Sequence, residues 1–394
     1  MTPSLKTALF TFSLNLLTAA HYDIYILAGQ SNALGRGNAA TLPSYLDTTQ
    51  SDVKIFHSSP DAHLTSHSWE SLAPGAGYGS NAPLNDIEFG PELSFGYRMA
   101  TTYPNRNIAI IKHARGGTHL YGQWSATGPR YSELKTFVAR ATTELTDNGD
   151  TYTMRGFLWQ QGEADATNST RAATYSANLT NLFSRVRTDF FGGQELPCTL
   201  GGLSNNQHSD ITVSGTDWNK VRLAQEAAPT LSNRVAYFST DNFVVRPTDI
   251  IHFDTDGQIA IGFGHADAMI ALEAADDDND GLSYRDEVTI GTDSSMADTD
   301  NDGQNDSIEN QAGTDPLDSA SLFKVNTLSR NSSNNQITIT WPSKEGNLYS
   351  IESSTNLSTW TTEQTNIPAD ELEETTSKTL STSEGSFFVR LNLL

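Results

Sequence analysis

A serine follows the first strongly apolar segment of the chain, within Gly29-Gln30-Ser31-Asn32. Gly29 permits a tight turn at the carboxyl end of a strand, so Ser31 is predicted in the first turn of a following helix, where backbone N–H groups lack partners. A serine hydroxyl beside free N–H groups can act as the nucleophile of acyl transfer, because those groups can stabilise the oxyanion. The same serine could instead cap the helix, and this fragment alone supports both roles.

Three more polar segments follow apolar segments or stand late in the same region. They are Arg115-Gly116-Gly117-Thr118, the run Gln160-Gln161-Gly162-Glu163-Ala164-Asp165, and Asp249-Ile250-Ile251-His252-Phe253-Asp254. In an open parallel sheet the carboxyl ends of the strands line one crevice. We therefore expect the serine, Gly-Gly and Gln-Gly-Glu segments to converge on a single site.

The elements that would position these segments alternate between short apolar runs and helical stretches over residues 22–274. This alternation predicts one α/β domain with a parallel sheet covered on both faces. The predicted strands are Asp23–Ala28, Ile108–Lys112, Arg155–Trp159, Cys198–Leu203 and Arg234–Ser239. The predicted helices are Pro91–Thr101, Tyr131–Thr146, Thr170–Thr188, Asp217–Ala227 and Gly257–Ala274.

Taken in order, the four polar segments resemble the four sequence blocks of the SGNH hydrolases. The resemblance covers roughly residues 22–272 and is closest to the sialate O-acetylesterase and acetylxylan esterase branch, carbohydrate esterase family six. It implies a flavodoxin-like three-layer sandwich with a central parallel sheet. It also implies removal of acetyl groups from carbohydrates by a carboxylic ester hydrolase.

The resemblance assigns a catalytic triad by position. Ser31 corresponds to the nucleophile, His252 to the general base, and Asp249 to the acid that orients the imidazole and stabilises its protonated form. Because the acid and the base are three residues apart, they would share one short loop that docks over the end of the first strand.

The resemblance also implies an oxyanion hole. Its donors would be the backbone N–H of Ser31, the backbone N–H of Gly117 or Gly116, and the side-chain amide of Gln161. The wider superfamily uses an Asn side chain as this third donor. Each donor contributes about 3–4 kcal/mol when it is correctly aimed.

Five residues near these blocks are candidates for lining the substrate or supporting the catalytic groups. The alternative for the acidic members is a structural role in the first turn of a helix. The candidates are Gln30, Asn32, Glu92, Arg115 and Glu163.

The charge of the chain excludes some partners. The 394 residues include 24 basic and 47 acidic residues, which gives a net charge of −23. Binding to nucleic acid or to an anionic membrane depends on Lys and Arg, and the sequence offers no basic patch. Residues 276–318 contain fourteen acidic residues and one basic residue, so the acidity is concentrated in one segment.

This acidic segment contains two copies of a motif with a 22-residue period. Each copy fits D-x-D-x-D-G-x5-E, in which alternate carboxylates, a turn glycine and a Glu at position twelve suit Ca²⁺. The predicted ligands are Asp276, Asp278, Asp280 and Glu287 in the first copy, and Asp298, Asp300, Asp302 and Glu309 in the second. The period resembles bacterial thrombospondin type 3 repeats, which implies structural calcium and no catalytic cofactor; a solvated acidic linker is the alternative.

The two ends of the chain predict export and an accessory module. Residues 1–20 resemble a secretory signal peptide, and no later segment is long and apolar enough to span a bilayer. After residue 321, alternating runs between polar turns predict a small β-sandwich, for which anchoring, spacing and contact with glycan or a cell surface stay open. The predicted domains are 1–20 (signal peptide), 21–274 (esterase), 275–320 (calcium repeats) and 321–394 (β-sandwich).

The resulting hypothesis is a bacterial serine esterase, secreted, periplasmic or on the cell surface, that acts on an acetylated carbohydrate such as xylan or sialic acid. One rival is an esterase of the same fold that acts on lipid or aryl esters. The other is a catalytically silent, calcium-stabilised glycan-binding protein.

Overall fold

The computed structural model describes residues 19–58, 68–75, 88–331, 333, 335–370, 374–381 and 388–394. The predicted signal peptide therefore lies almost wholly outside the described residues. The chain divides into two compact units, Met1–Leu272 and Glu273–Leu394. The domain boundaries drawn from the sequence stay a prediction.

The first unit is built on a seven-stranded sheet with the order β4-β3-β6-β1-β7-β8-β9. All neighbours in it are parallel except β3 and β4. The strands are β1 (His21–Gly29), β3 (Gln50–Ser58), β4 (Glu70–Leu72), β6 (Asn107–Ala114), β7 (Thr151–Gln160), β8 (Cys198–Gly201) and β9 (Val235–Phe238). Two short antiparallel pairs accompany the sheet: β2 (Gly37–Asn38) with β5 (Glu88–Phe89), and β10 (Val245–Arg246) with β11 (Asp249–Phe253).

Helices cover both faces of this sheet, which confirms the predicted α/β fold. Apolar side chains of α3, α5 and α6 pack on one face, and those of α2 and α7 pack on the other. The helices are α1 (Ser31–Leu34), α2 (Glu92–Thr102), α3 (Pro129–Asp147), α4 (Glu163–Ala166), α5 (Ser169–Phe191), α6 (Asp217–Glu226) and α7 (Thr255–Glu273). Three 3-10 helices span Ala39–Thr41, Ser209–Thr212 and Ala228–Leu231.

Strand β1 lies at the point where the strand order reverses, with β6 on one side and β7 on the other. Ligands of open α/β sheets bind outside the carboxyl ends of the strands at such a point. Gly29 ends β1 at φ +145°, where a Cβ atom would lie 2.1 Å from the carbonyl oxygen of Gln160. Only glycine fits there, so the chain can turn sharply between two strand ends and begin α1 at Ser31.

The second unit contains the acidic repeats and two small antiparallel sheets. The repeats carry α8 (Tyr284–Ile290) and α9 (Asp306–Ala312). The sheets have the orders β12-β13-β16 and β15-β14-β17 and share one apolar core, as predicted for this region. Their strands are β12 (Thr327–Asn331), β13 (Gln336–Pro342), β14 (Leu348–Ser354), β15 (Thr361–Pro368), β16 (Thr375–Ser381) and β17 (Phe388–Leu393).

Among the described residues, no helix combines the length and the apolar character needed to cross a membrane.

Candidate active site

Ser31 and His252 meet at the carboxyl end of β1. Ser31 is the first residue of α1, and its Oγ lies 2.9 Å from Nε2 of His252, which is 221 positions further along the chain. Ser31 is 4% exposed, and both residues line a cavity of about 450 Å³. A hydroxyl within hydrogen-bond distance of an imidazole nitrogen is the arrangement that general-base activation requires.

Asp249 holds the other nitrogen of the same imidazole. Its Oδ2 lies 2.5 Å from Nδ1 of His252. Burial acts to raise the pKa of the Asp249 carboxyl, but the hydrogen bond and the charge of His252 outweigh it, so the pKa lies below its usual value. An ionised carboxylate can only accept, so the proton resides on Nδ1 and Nε2 is left to accept the Ser31 hydroxyl proton.

The segment that carries Asp249 and His252 is the short strand β11, where the sequence predicted a loop. Asn32, the residue after Ser31, fastens this strand to α1. Its Nδ2 donates to the carbonyl oxygen of Ile251 at 3.1 Å, and its Oδ1 accepts from the backbone N–H of Phe253 at 3.2 Å. The peptide groups on both sides of His252 are therefore tied to the residue next to the nucleophile.

Two buried side chains reinforce this attachment. Glu163 accepts hydrogen bonds from Nδ2 of Asn32 at 2.5 Å and from Nε2 of Gln207 at 3.0 Å. Gln207 also donates to the carbonyl oxygen of Ile251 at 2.7 Å. The network places Asn32 and Glu163 in a supporting role, and it adds Gln207, which no sequence block indicated.

We expect Asn32→Ala to lower kcat by about 100-fold, because a small displacement of His252 costs that much at a reacting centre. KM should change little, since Asn32 is not among the residues that line the cavity. The free energy of unfolding should fall by about 1–3 kcal/mol, because buried partners of Asn32 lose their hydrogen bonds. Steady-state kinetics and thermal unfolding of Asn32→Ala beside Gln207→Ala, which keeps the Asn32 contacts, measure both effects. An unchanged kcat in a folded Asn32→Ala protein would contradict this role.

The turn after β6 lies at the same cavity. Gly116 and Gly117 both line it, beside Ser31 and His252. Gly117 has φ +68°, and open space lies where a Cβ atom would be. This left-handed conformation favours glycine and leaves room for a substrate oxygen beside the turn.

Gln161, the predicted third oxyanion donor, lies behind the cavity and is 1% exposed. Its Nε2 is 2.7 Å from Oδ2 of Asp165, 3.1 Å from the carbonyl oxygen of Thr118 and 3.1 Å from Oε1 of Gln30. Two amide hydrogens are thus shared among three internal acceptors, and Gln161 does not line the cavity. The donor role expected for Gln161 does not fit this geometry.

Glu92 and Arg115 do not reach the cavity either. Glu92 is buried at the start of α2, where it accepts from Nζ of Lys112 at 2.6 Å and from the backbone N–H of Gly90 at 2.9 Å. Lys112 also donates to the carbonyl oxygen of Leu34, the last residue of α1, so the Glu92–Lys112 pair helps to hold the end of that helix. Arg115 lies outside the cavity lining, and its backbone N–H donates to Gly29.

Several residues of the cavity wall carried no sequence signal. Trp218 lines the cavity and stacks on the ring of His208, with centroids 4.6 Å apart and planes 6° apart. Arg36 lines the opposite region and pairs with Glu88 at 3.4 Å. The remaining unpredicted lining residues are Ala164, Thr167 and Ile251. Trp218, Arg36 and Thr167 lie outside the polar segments, whereas Ala164 and Ile251 lie within two of them, and the folded chain brings all five together.

The acidic repeats form two groups of carboxylates in the second unit. Within each group, one oxygen from each Asp lies within 4.8 Å of the others. The groups are Asp276, Asp278 and Asp280 in the first repeat, and Asp298, Asp300 and Asp302 in the second. Asp280 also accepts from the backbone N–H of Ser307, which ties the first repeat to the second.

The second group fits a hard cation. Oδ2 of Asp300, Oδ2 of Asp302 and Oε2 of Glu309 are buried, and none of the described residues donates a hydrogen bond to them. Burial, followed by the charge of Asp302, raises the pKa of Glu309 to about 7. Buried carboxylate oxygens without donors are the ligands that Ca²⁺ takes, so the repeats indicate structural calcium.

Chelation should therefore destabilise the second unit and leave hydrolysis by the first unit intact. A site saturated at one hundred times its Kd contributes about 2.7 kcal/mol to the stability of the folded state. In calorimetry, chelator should lower the melting temperature of one transition relative to the sample with excess Ca²⁺. Adding calcium back should restore that melting temperature. Asp300→Asn should reduce the shift, whereas Glu345→Gln, at an exposed residue, should not. Loss of ester hydrolysis on chelation would show that the metal serves the first unit instead.

The chain matches two family models. Residues 21–271 match the family described as "Carbohydrate esterase, sialic acid-specific acetylesterase". Residues 276–297 and 298–319 match the bacterial TSP3 repeat, which confirms the repeat prediction.

Individual proteins are also similar to this chain. A probable carbohydrate esterase of Arabidopsis thaliana is 26% identical over 262 residues, which cover 63% of this chain and 90% of the relative. The solved structure of NanS has a TM-score of 0.50 at 14% identity and covers 65% of this chain and 98% of its own. A carbohydrate acetylesterase from Xanthomonas citri has a TM-score of 0.44 at 16% identity, with 93% and 74% covered. Two bacterial TSP3 repeats follow the matched esterase region. The chain belongs to the carbohydrate esterase, sialic acid-specific acetylesterase family and is a carboxylic ester hydrolase.

Proposed function

We propose that the protein is an exported serine esterase that removes O-acetyl groups from a carbohydrate, with Ser31, His252 and Asp249 as its catalytic triad. The observation that carries this proposal is the chain of contacts from Ser31 Oγ to His252 and on to Asp249, at 2.9 and 2.5 Å, inside a cavity. Family membership supports the acetyl ester and the carbohydrate. The TSP3 repeats, which are a bacterial type, support export.

In the first half of the reaction, Ser31 Oγ forms a bond to the carbonyl carbon of the acetyl ester while its proton moves to Nε2 of His252. The electron pair of the carbonyl double bond moves to the oxygen, which backbone N–H groups of Ser31 and of the Gly116-Gly117 turn would stabilise. When that pair returns, the bond to the sugar oxygen breaks, and the proton on Nε2 goes to the departing alkoxide.

The second half repeats these steps with water. Nε2 of His252 takes a proton from water as the water oxygen bonds to the acetyl carbon of acetyl-Ser31. Collapse of the second tetrahedral intermediate breaks the bond between Ser31 Oγ and the acetyl carbon, the proton on Nε2 goes to Ser31 Oγ, and acetic acid leaves and ionises to acetate. Asp249 stays ionised throughout and stabilises the imidazolium that forms in each half.

The single cysteine offers no competing nucleophile. Cys198 is fully buried in β8, and burial raises the pKa of its thiol to about 12. A thiol in that state is protonated near neutral pH, and thiols react as thiolates. This supports Ser31 as the residue that carries the covalent intermediate.

The cavity wall supports a sugar ester as substrate. Trp218 and Ile251 give it an apolar surface, and Arg36 and Gln30 give it hydrogen-bonding groups. Sugars present both apolar ring faces and hydroxyl groups, and aromatic side chains with a few placed polar groups are typical of small-molecule sites. A cavity of this volume also has room for one sugar ring.

Acetate release from a panel of acetylated xylan, other acetylated polysaccharides and O-acetylated sialic acids tests the substrate class. We expect rapid release from at least one of these and slow turnover of aryl esters with longer acyl chains. Fast hydrolysis of long-chain aryl or lipid esters with no release from any acetylated carbohydrate would replace the proposal with the non-carbohydrate esterase.

A further inference from the structure

The side chain of Gln30 lies between the turn that follows β1, which leads to Ser31, and the turn that follows β7. Its Oε1 accepts two hydrogen bonds, from Nε2 of Gln161 at 3.1 Å and from the backbone N–H of Ala164 at 3.2 Å. A carboxamide oxygen has two lone pairs. Both are used here, so the oxygen end of the Gln30 amide is fixed by protein donors.

The nitrogen end of the same amide is free to face a ligand. Among the described residues none accepts a hydrogen bond from Nε2 of Gln30, and this atom is not sealed off by protein. Gln30 as a whole is 2% exposed and lines the cavity together with Ser31, Gly117 and His252. This amide has two hydrogens that no described residue accepts, and it stands beside the nucleophile in the cavity wall, so it is available to donate to a bound substrate.

We propose that Nε2 of Gln30 is the third donor of the oxyanion hole, and that Gln161 is the residue that positions it. This inference rests on the proposed role of Ser31 as nucleophile. When Ser31 Oγ bonds to the ester carbon, the carbonyl oxygen gains the electron pair. Nε2 of Gln30 donates a hydrogen bond to that oxygen and keeps its proton.

Gln161 is suited to positioning because it joins three strand ends. It contacts Gln30 after β1, Thr118 after β6, and Asp165 after β7. Asp165 in turn accepts from the backbone N–H groups of Leu120 and Tyr121, which holds the loop that follows the Gly116-Gly117 turn. The buried amide of Gln161 therefore fixes both turns of the oxyanion hole relative to each other, and a donor fixed before reaction is more effective than one that must reorganise.

The substitution Gln30→Glu removes the hydrogen-bond donor but keeps the contacts that hold the side chain in place. A glutamate has the same shape and still accepts from Gln161 and Ala164, but it cannot donate from the end that faces the cavity when ionised. Gln30→Ala removes the group altogether. Gln123→Glu is the matched control, because Gln123 also accepts a backbone hydrogen bond, from His119, and does not line the cavity.

We expect both Gln30 variants to lose about 100-fold or more in kcat, with KM within about threefold of wild type. Affinity for a small boronic acid, whose tetrahedral adduct on Ser31 places an oxygen in the hole, should fall by a similar factor. Gln30→Glu should keep the wild-type fold by circular dichroism, although a buried carboxylate without a cation lowers its melting temperature. Gln123→Glu should match wild type in every assay.

A folded Gln30→Ala protein with wild-type kcat, or with wild-type boronic acid affinity, would overturn the inference alone, provided Ser31→Ala is inactive. Gln161→Ala gives a second readout. Gln161→Ala should lower kcat and the melting temperature together. The donor role would return to Gln161 if this variant lost 100-fold in kcat at an unchanged melting temperature while Gln30→Ala kept wild-type kcat. Hydrolysis by Ser31→Ala would overturn the proposed function, and this inference with it.

Discussion

Replacing Ser31 with alanine is expected to lower kcat by about 10⁵- to 10⁶-fold, the loss seen when a triad enzyme loses its nucleophile. The Ser31 hydroxyl oxygen is held 2.9 Å from Nε2 of His252, and no other described hydroxyl is placed on that nitrogen. The remaining backbone donors can still stabilise an oxyanion formed by water, so a small residual rate above the uncatalysed reaction should persist. The measurement is acetate release under saturating substrate, with circular dichroism to confirm the fold.

His252→Ala and the double variant Ser31→Ala/His252→Ala provide the control for this result. When catalytic groups act as a unit, the losses in rate caused by removing each of them are not additive. We therefore expect each single variant and the double variant to have nearly the same residual kcat. A double variant that is slower than either single variant by the product of their losses would show that Ser31 and His252 act independently.

Asp249→Asn should lower kcat by about 10⁴-fold while leaving the fold intact, as expected when an orienting acid becomes an amide. An asparagine amide can donate to Nδ1 of His252, which moves the imidazole proton to Nε2 and leaves that nitrogen unable to accept from Ser31. The negative charge that stabilises the imidazolium is lost at the same time. Steady-state kinetics of Asp249→Asn measure the loss.

Asp256→Asn is the matched control for this substitution, because Asp256 is an exposed acid seven positions away in α7. It removes the same charge and should keep wild-type kcat. A kcat for Asp249→Asn within tenfold of wild type would mean that another group orients His252.

The sheet could be predicted from the sequence wherever its strands are buried on both faces. The central strands β1, β6 and β7 consist largely of apolar residues, and each was predicted within a few residues of its bounds. Strand β3 was missed because Gln50–Ser58 mixes polar and apolar residues and lies next to the edge strand β4. Strand β11 is too short for a periodic pattern, and it forms only by pairing with β10.

The convergence of the site could also be predicted, because it follows from topology. Parallel strand ends bring the serine, Gly-Gly and Gln-Gly-Glu segments together in any such sheet, and the four blocks identify the residues that meet there. The direction of an amide within the site could not be predicted. Gln30 and Gln161 are both glutamines at strand ends, and only the acceptors around them show which one faces the cavity.

Residues far from the blocks were beyond sequence reasoning for a different reason. Gln207 and Trp218 follow β8, in a loop and in α6, and neither stands at a spacing that any chemistry requires. Their positions depend on how α6 packs against α4 and α5. Part of the cavity wall and part of the support of the catalytic groups therefore come from residues that a single sequence does not mark.

Labelling with a fluorophosphonate, followed by peptide mapping, tests the central claim most directly. This reagent forms a covalent bond with an activated serine, and here activation requires the contact between Ser31 and His252. Loss of acetyl esterase activity should be measured in the same samples. The account predicts one label per chain, on the peptide that contains Ser31, with inactivation in proportion to labelling and little labelling of His252→Ala. A fully labelled protein that keeps its esterase activity, or inactivation with the label on another residue, would contradict it.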